Sequence, residues 1–457
     1  MACFWFNQND TRIEIPSAEE VNNVTYYKII VTVGEIKWHV LHRYSEFFDL
    51  HNQLVTDHGV SKDILPSKKV IRNKCPIFIE SRRKGLEEYC QKILNYLKRT
   101  MPRIFIEFFH FHIYDIFFLL QNLALRFFLE ADLLLSSSKS YALTPLELHA
   151  ASECLKKPFP AVENTDSRYD FTHVLDLYSQ LKILTINGSG SPYRNSSVIP
   201  NQLPFDLASF KELTSLVLIK VSLDKILSLG NLRTTLQKLY VHNTNMSSIS
   251  QILQCDVLHK CSIDSSQVIW TNVTVVNFTN NNLIEIDKTI SLVPNLKTLI
   301  LDSNKISCIS GLAELSNLSH LSLSNNLISM CNQLHTKIGN ILTLNLSQNS
   351  ISSLKGFRKL YSLVNLDLSC NKIDEIEEIT HLGDLPCLEN LVLTGNCLAT
   401  TVDYRIKVLE HFKDRAKDIC LDNEKPTQNE IDKVSVLRAL RIVKEGKAPD
   451  LTNNAYT

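Results

Sequence analysis

An eleven-residue pattern, L-x-x-L-x-L-x-x-N-x-L, recurs six times between residues 273 and 398 and limits the folds open to this chain. Successive asparagines of the pattern are 23, 22, 23, 22 and 25 residues apart, so one short structural unit is repeated. Such a unit cannot bury its apolar side chains alone, and neighbouring units must therefore stack into a solenoid. The six asparagines are Asn281, Asn304, Asn326, Asn349, Asn371 and Asn396.

Each part of the pattern has a physical role. Leu366 and Leu368 alternate with polar residues, which predicts a short strand with one buried face. The asparagine follows where the chain must turn inward, and its amide can pair with backbone groups that a buried bend would leave unsatisfied. Apolar residues then recur at every third position, as at Ile306, Ile309 and Leu312, which predicts a short 3₁₀ or helical return. These features identify leucine-rich repeats.

The repeat array extends beyond the six clear copies. Weaker copies that lack the asparagine begin at Leu181, Leu213 and Leu236, and the polar residues 188–204 are expected to form a loop on the array. After Leu398, the stretch YRIKVLEHF has the apolar stripe of a helix, typical of the cap that covers the open edge of such arrays. We predict an array over 170–400, a helical cap over 401–447 and a disordered tail over 448–457.

The strand positions between the buried leucines form the candidate surface for a protein partner. Small polar side chains suit such a surface, but none of them is the aromatic or arginine anchor that marks most binding hot spots. An acidic run at 374–378 lies on a return segment, where a solvated rim is the default interpretation and a basic partner the alternative. The predicted partner-binding positions are Ser322, Ser324, Asn345, Ser347, Asp367, Ser369 and Thr394.

Composition restricts the class of protein. The chain has 457 residues, 44% of them hydrophobic and 21% charged, which is enough for two or three domains. Its formal net charge of zero argues against a dedicated nucleic-acid binder. The longest uncharged part of the apolar region 101–135 is Ile116–Leu125, about half of a membrane span, and the N-terminus lacks the pattern of a secretory signal. We therefore expect a cytoplasmic chain.

The candidate chemical motifs are weak. Cys255, His259 and Cys261 are too irregular in spacing to predict a metal site, and the other cysteines indicate reduced, mostly buried thiols. His110 and His112 diverge on a helix and are interpreted as packing residues. The patterns of phosphate-binding loops, nucleophile elbows, zinc proteases and kinase catalytic loops are absent from the sequence, so neither an enzyme nor a cofactor is expected.

The N-terminal part of the chain reads as strands followed by helices. Val24–Val33 is rich in β-branched and aromatic residues, Gly34 predicts a turn, and the next strand ends before a helix capped by Ser45. A second helix is predicted over Ile79–Leu97. A helical connector over 121–169 follows, with a helix start at Thr144.

Positive charge is concentrated in this N-terminal part. Between residues 62 and 103 there are twelve Lys or Arg residues against four acids, an excess of eight. One interpretation is a solvated helix face. The other is a surface that docks on an anionic membrane leaflet, where each adjacent cation contributes about 1 kcal/mol.

Three motifs give this region a family resemblance. The stretches HRYSEF and LPSKK, with Arg82 four residues before Leu86, resemble a phox-homology (PX) domain, expected here over 15–120. The resemblance implies that Arg43 holds the 3-phosphate of a phosphoinositide and that Tyr44 stacks beneath the inositol ring. It also implies contacts of Lys68 or Lys69 with the 1-phosphate and of Arg82 with the ring hydroxyls at positions 4 and 5.

The chemistry of these residues suits the implied roles. Arginine donates two parallel hydrogen bonds to a phosphate, and the start of a helix supplies further donors beside Arg43. The alternative is that Arg43 only pairs with a surface acid such as Glu46. Val70 and Ile71 follow the lysines and are candidates for insertion into the headgroup region, although core packing is the more common fate of such residues.

A PX unit, a helical connector and a repeat array together resemble a family of endosomal and cytosolic scaffold proteins. The resemblance implies phosphatidylinositol 3-phosphate binding, a peripheral location on early or recycling endosomes, and partners of the Rac, Rab or p21-activated kinase type. It does not predict an integrin-tail site, because the chain is expected to stop before the C-terminal extension of longer members. The alternative is a soluble regulatory subunit of a phosphatase or kinase without lipid binding.

The expected fold class is therefore α+β. It comprises a small antiparallel sheet with helices, a helical connector, and a leucine-rich-repeat solenoid with a C-terminal helical cap.

Overall fold

The computed structural model of the chain describes residues 1–68, 75–136, 140–157, 166–254 and 268–444. The chain divides into two compact units, Met1–Glu212 with Lys225–Leu227 and Leu213–Asp224 with Ser228–Thr457. The first unit combines an antiparallel sheet with helices, and the second is built on parallel strands, so the predicted α+β class is confirmed. In the part of the chain that the structure describes, no helix is long and apolar enough to cross a membrane.

A three-stranded antiparallel sheet opens the first unit, in the order β1-β2-β3. Its strands are β1 (Thr11–Val21), β2 (Val24–Val33) and β3 (Ile36–Arg43). The sequence predicted β2 and β3 but not β1. Pro16 and the charged side chains of β1 interrupt the β-branched pattern, and the pairing register shifts beside this proline, between Glu14 and Ser17.

The helices of the first unit pack on this sheet and on each other. They are α1 (Tyr44–His58), α2 (Pro76–Leu97), α3 (Arg103–Phe108), α4 (Phe111–Tyr114), α5 (Ile116–Ser136), α6 (Pro145–Lys156) and α7 (Thr172–Gln180). The prediction that Ser45 caps α1 is wrong, because Arg43 occupies the cap position. The Glu46 carboxylate accepts a hydrogen bond from the Arg43 N–H at 3.0 Å, so the first turn is stabilised without a serine cap.

The predicted connector is largely helical but contains one strand. Strand β4 (Tyr141–Leu143) pairs in parallel with β5 (Ile183–Asn187), and the two-residue strands β6 (Phe205–Asp206) and β8 (Ile226–Leu227) pair with each other. The predicted helix start at Thr144 is confirmed. The Thr144 N–H donates to Glu147 Oε2 at 2.8 Å, and the Glu147 N–H donates to Thr144 Oγ1 at 3.4 Å.

Part of the polar loop 188–204 packs against the outer edge of β3. The His39 N–H donates to Asn195 O at 2.9 Å, and the Ser197 N–H donates to Lys37 O at 2.7 Å. An unpaired edge strand offers its backbone to any neighbouring chain, so these bonds protect the antiparallel sheet. From the sequence we predicted a loop on the repeat array. The contact with β3 was missed because residue spacing does not reveal contacts between segments so far apart in the chain.

The second unit is a ladder of parallel strands, with one strand for each repeat. Equivalent leucines stand in register, Leu299 beside Leu321 and Leu321 beside Leu344. The strands are β7 (Ser215–Ile219), β9 (Lys238–His242), β10 (Val275–Asn277), β11 (Thr298–Ile300), β12 (His320–Ser322), β13 (Thr343–Asn345), β14 (Asn365–Asp367), β15 (Asn390–Val392) and β16 (Cys420–Leu421). The helices are α8 (Ser250–Leu253), α9 (Leu334–Ile338), α10 (Thr380–Gly383), α11 (Tyr404–Glu410) and α12 (Gln428–Lys444). Several returns are 3₁₀ turns, as at Lys288–Leu292 and Lys355–Phe357.

All six repeat asparagines are buried and link successive turns of the solenoid. The Nδ2 of Asn326 donates to Leu301 O at 3.0 Å in the preceding repeat and to Leu323 O at 3.1 Å in its own. Its Oδ1 accepts from the Ile306 N–H at 3.0 Å. The other five asparagines make corresponding bonds, so each amide satisfies backbone groups of two neighbouring turns.

Helices α11 and α12 pack together in the region predicted to cap the array. Arg405 Nε lies 2.7 Å from Glu430 Oε1, which joins the two helices. Gly383 lies against the end of α11, where an added Cβ would approach His411 O to 2.3 Å, so a larger residue would push the two segments apart. The predicted tail at 448–457 lies outside the described residues.

Replacing Asn326 by alanine should lower the free energy of unfolding by about 3 kcal/mol, because it leaves the buried Ile306 N–H without a partner and removes one of the two asparagine hydrogen bonds to each of Leu301 O and Leu323 O. Urea unfolding measures this loss. Asn317→Ala is the control, since Asn317 is exposed and should cost less than about 0.5 kcal/mol. Equal losses in the two variants would contradict a structural role for the asparagine ladder.

Candidate functional site

Arg43 stands at the corner where β3 ends and α1 begins. Its side chain is 52% exposed, and its Nε lies 3.5 Å from Glu46 Oε1. The surface pairing considered above as an alternative is therefore present. Exposed pairs of this kind contribute about 0–1 kcal/mol, so Glu46 is a weak competitor for a phosphate that accepts two bonds from the same guanidinium.

Arg82 lies between two aromatic rings. Its guanidinium carbon is 4.1 Å from the centroid of the Tyr44 ring and 4.3 Å from that of the Phe78 ring. Contact with both rings restricts the movement of the guanidinium and so restricts the positions of its nitrogens. Nε and Nη2 of Arg82 are buried and have no hydrogen-bond partner among the described residues. Two oriented donors thus remain for an acceptor.

Two tyrosines surround this arginine. Burial raises the pKa of the Tyr27 and Tyr44 hydroxyls, and the positive charge of Arg82 opposes the shift at both. Both phenols therefore stay protonated at neutral pH. The Tyr44 hydroxyl donates to Pro66 O at 2.5 Å, which ties the loop before Lys68 to the start of α1.

Gly85 allows the same loop to approach α2. A Cβ at this position would lie 2.8 Å from Pro66 Cγ, closer than side-chain carbons come in real structures. Glycine inside a helix costs roughly 0.5–1 kcal/mol of stability relative to alanine. The close contact with Pro66 explains why a glycine is nevertheless found at position 85, one turn after Arg82. Pro66, Tyr44 and Arg82 are thereby held in one small region.

The remaining predicted lipid-binding residues are less closely gathered. Lys68 is exposed, with its Nζ 5.4 Å from the centroid of the Phe48 ring. Lys69 and the predicted inserting residues Val70 and Ile71 lie outside the described residues. Ile77, in the first turn of α2, is 82% exposed and is a further apolar candidate for contact with a membrane.

The structure thus brings Tyr44 and Arg82 into direct contact, whereas Arg43 and Lys68 contact other neighbours. Sequence reasoning missed the roles of Tyr27, Phe78 and the Pro66 carbonyl. Tyr27 and Pro66 come from a strand and a loop, and no spacing in the sequence links them to Arg82. Phe78 lies four residues before Arg82 on α2, so helical spacing could have linked these two.

The predicted partner-binding positions of the repeats lie on the outward strand face. Most are partly exposed, but Ser347 is only 7% exposed and offers little surface. Several are already bonded to one another, as in Ser324 Oγ to Ser347 Oγ at 2.8 Å and Ser369 Oγ to Asp367 Oδ1 at 2.7 Å. A partner would have to replace these bonds.

In the earlier repeats this face carries apolar and aromatic side chains, with Asn277 between Tyr240 and Ile300. Val217, Tyr240 and Ile300 occupy the outward positions that Ser322 and Asn345 occupy later in the ladder. All of these side chains are partly exposed. The sequence analysis missed the aromatic position because β7 and β9 belong to the repeats without asparagine.

Metal chemistry has little support in the described part of the chain. No group of three or more His, Cys, Asp or Glu residues there could hold a metal ion, and Cys255, His259 and Cys261 lie outside it. His110 and His112 have ring centroids 5.8 Å apart, and burial lowers the pKa of His110 to about 4. Both are partly buried packing residues.

Comparison with known proteins agrees with this division of the chain. Residues 30–112 match the PX domain, and residues 340–381 match leucine-rich repeats in two copies. Sorting nexin-24 of Bos taurus is 38% identical over 84 residues, which cover 18% of this chain and 47% of that protein. The serine/threonine-protein kinase Sgk3 of Rattus norvegicus is 33% identical over 96 residues, which cover 20% of this chain and 19% of the kinase.

Among solved structures, a leucine-rich-repeat protein of Leptospira interrogans is similar, with 22% identity, a TM-score of 0.41, and coverage of 58% of this chain and 61% of that one. The chain spans less than half the length of the two curated relatives named above. It carries a PX domain, a phosphoinositide-binding module, and leucine-rich repeats, a protein-interaction module. Both are typically non-catalytic binding modules.

Proposed function

We propose that this chain binds phosphatidylinositol 3-phosphate through its PX domain and holds a protein partner on its repeats. The observation that carries the lipid half is the pair of buried, oriented Arg82 donors without a partner among the described residues. Neutral ring hydroxyls at positions 4 and 5 of the inositol accept from them. Arg43 grips the 3-phosphate, Tyr44 packs against the ring, and Lys68 or Lys69 meets the 1-phosphate.

Specificity follows from the same two donors. A guanidinium stacked between Tyr44 and Phe78 cannot retreat without losing both ring contacts. Hydroxyls bonded directly to it leave no space for a phosphate at position 4 or 5. The 3-phosphate is therefore the proposed ligand, rather than a more highly phosphorylated inositol lipid.

Membrane contact has a second proposed component. The excess of positive charge between residues 62 and 103 attracts an anionic leaflet, and the exposed Ile77 inserts its side chain beside the bound headgroup. Together with the similarity to sorting nexin-24, this supports a peripheral location on early or recycling endosomes.

The proposed partner surface is the strand face of the earlier repeats, centred on Tyr240. Tyrosine is among the residues that most often dominate binding energy, whereas serine is under-represented there. The combination of modules resembles nischarin, and on that resemblance the proposed partners are Rac, Rab or p21-activated kinase type proteins. The alternative, a repeat-type regulatory subunit that binds no lipid, differs in having no affinity for 3-phosphorylated vesicles.

Arg43→Ala should weaken binding to vesicles containing phosphatidylinositol 3-phosphate at least tenfold, because it removes the bidentate phosphate contact. Co-sedimentation with vesicles with and without the lipid measures the effect, and circular dichroism checks that the fold is intact. Arg99→Ala, which removes an exposed arginine of the same unit, should bind like the parent chain. Unchanged binding of Arg43→Ala would refute the proposed phosphate site.

Ile77→Asp should lower vesicle affinity about tenfold without changing affinity for a soluble short-chain form of the same lipid, since only the vesicle buries the isoleucine. The matched control is Val21→Asp, at an exposed apolar position at the end of β1. If Ile77→Asp weakens binding to both forms equally, the side chain supports the headgroup site and does not insert.

Tyr240→Ala should reduce the affinity of the chain for a purified Rac-type GTPase about tenfold or more, as expected for a central aromatic contact. Asn345→Ala, at an equivalent outward position of a later strand, should have less than a twofold effect. Surface plasmon resonance compares the two variants. A larger effect of Asn345→Ala than of Tyr240→Ala would contradict this proposal and favour the polar strand positions predicted from the sequence as the partner surface.

A further inference from the structure

A groove of about 640 Å³ lies in the second unit, between a return segment of the repeats and the two C-terminal helices. Ile376 of the return segment and Leu437 and Leu440 of α12 give it an apolar lining. Leu440 is 62% exposed, although helix α12 is packed against α11 by the Arg405–Glu430 pair. The outer side of α12 thus presents large apolar side chains that no described residue covers fully.

The rim of the groove has an excess of negative charge. Four acids line it, Asp374, Glu375, Glu377 and Glu410, against the two bases Lys407 and Arg441. Arg441 Nη1 lies 3.4 Å from Glu410 Oε1, so part of the positive charge is already used.

The remaining acids of the rim have few counter-charges. Asp374, Glu375 and Glu377 form no salt bridge with any residue that the structure describes. Burial lowers the pKa of His411, which also lines the groove, so this ring adds no charge at neutral pH. The acids on the return segment are therefore available to a cationic ligand.

We propose that this groove, called here the cap groove, binds a basic amphipathic helix of a partner protein. Such a helix places apolar side chains at i, i+3, i+4 and i+7 on one face, and these match an apolar groove of this size. Lysines or arginines beside that face meet the acids of the rim. The rim repels an anionic leaflet, so charge complementarity favours a protein segment over a membrane.

The cap groove shares no residue with the lipid site or with the strand face around Tyr240. The groove adds a third binding surface to the proposed scaffold, and failure of either earlier proposal would leave it unaffected.

The test uses the full chain and a fluorescent eighteen-residue Leu–Lys peptide with helical apolar spacing, compared with its Leu–Glu counterpart by anisotropy. The Leu–Lys peptide should bind and the Leu–Glu peptide should not. The double variant Glu375→Lys with Glu377→Lys should weaken binding about tenfold, and Leu440→Ser about fivefold.

Matched controls separate the cap groove from general attraction to acidic surfaces. Glu285→Lys with Glu314→Lys changes the net charge equally on exposed return residues elsewhere in the array, and Leu327→Ser removes an exposed leucine elsewhere. Both control variants should bind the Leu–Lys peptide like the parent. Equal weakening by the control pair and the groove pair would overturn the proposal.

Two other occupants would also overturn it. If deleting residues 445–457 raises peptide affinity more than about tenfold, the chain's own tail fills the groove. If sedimentation shows a dimer that Leu440→Ser converts to monomer, a second copy fills it. Unchanged affinity after the deletion and a monomeric parent chain would support a separate protein partner.

Discussion

Buried polar groups require partners, and the repeat asparagines and Arg82 differ in whether the described residues supply them. In the repeats, each buried asparagine pairs with carbonyl and N–H groups of two successive turns, so it holds neighbouring repeats together. In the PX unit, the stacked Arg82 retains two buried nitrogens without a partner among the described residues. Leaving such donors unpaired costs free energy, and a ligand that accepts hydrogen bonds from them removes this cost. The requirement that buried polar groups be paired therefore holds the repeats together in one unit and favours ligand binding at Arg82 in the other.

The same constraint distinguishes the surfaces of the repeat array. The later strands carry serines and acids that bond to one another, as Ser369 does to Asp367, and their polar groups are already satisfied. The earlier strands carry Tyr240 and Ile300 at the equivalent positions, and the apolar parts of these side chains can only be satisfied by burial. The outward strand positions of the solenoid therefore differ in chemistry from repeat to repeat, and Tyr240 is the aromatic one among Val217, Tyr240, Asn277 and Ile300. The cap groove differs from this strand face in combining an apolar lining with an acidic rim.

Much of this architecture could be predicted from the sequence, because its strongest signals are periodic. The repeat asparagines and the Thr144 helix start depend on residues close together in the chain, and local spacing is sufficient to find them. Strand β1 was missed because Pro16 and neighbouring charges break its alternation. The surroundings of Arg82 were missed for a different reason. Tyr27 and Pro66 reach it from other elements, which only the tertiary fold brings together, whereas the contact with Phe78 on the same helix could have been inferred from the spacing of four residues. Residues implied by the family motif could be named from sequence, but their mutual geometry could not.

The most direct test of the central claim is a calorimetric titration of the chain with soluble short-chain phosphatidylinositol 3-phosphate and with its 4-phosphate isomer. Without a vesicle, neither apolar insertion nor surface charge on a membrane contributes, so the result reports the headgroup site alone. The account predicts saturable binding of the 3-phosphate, at least tenfold tighter than the 4-phosphate, and loss of that preference in Arg82→Met. Equal binding of the two isomers, or a preference that survives in Arg82→Met, would contradict it.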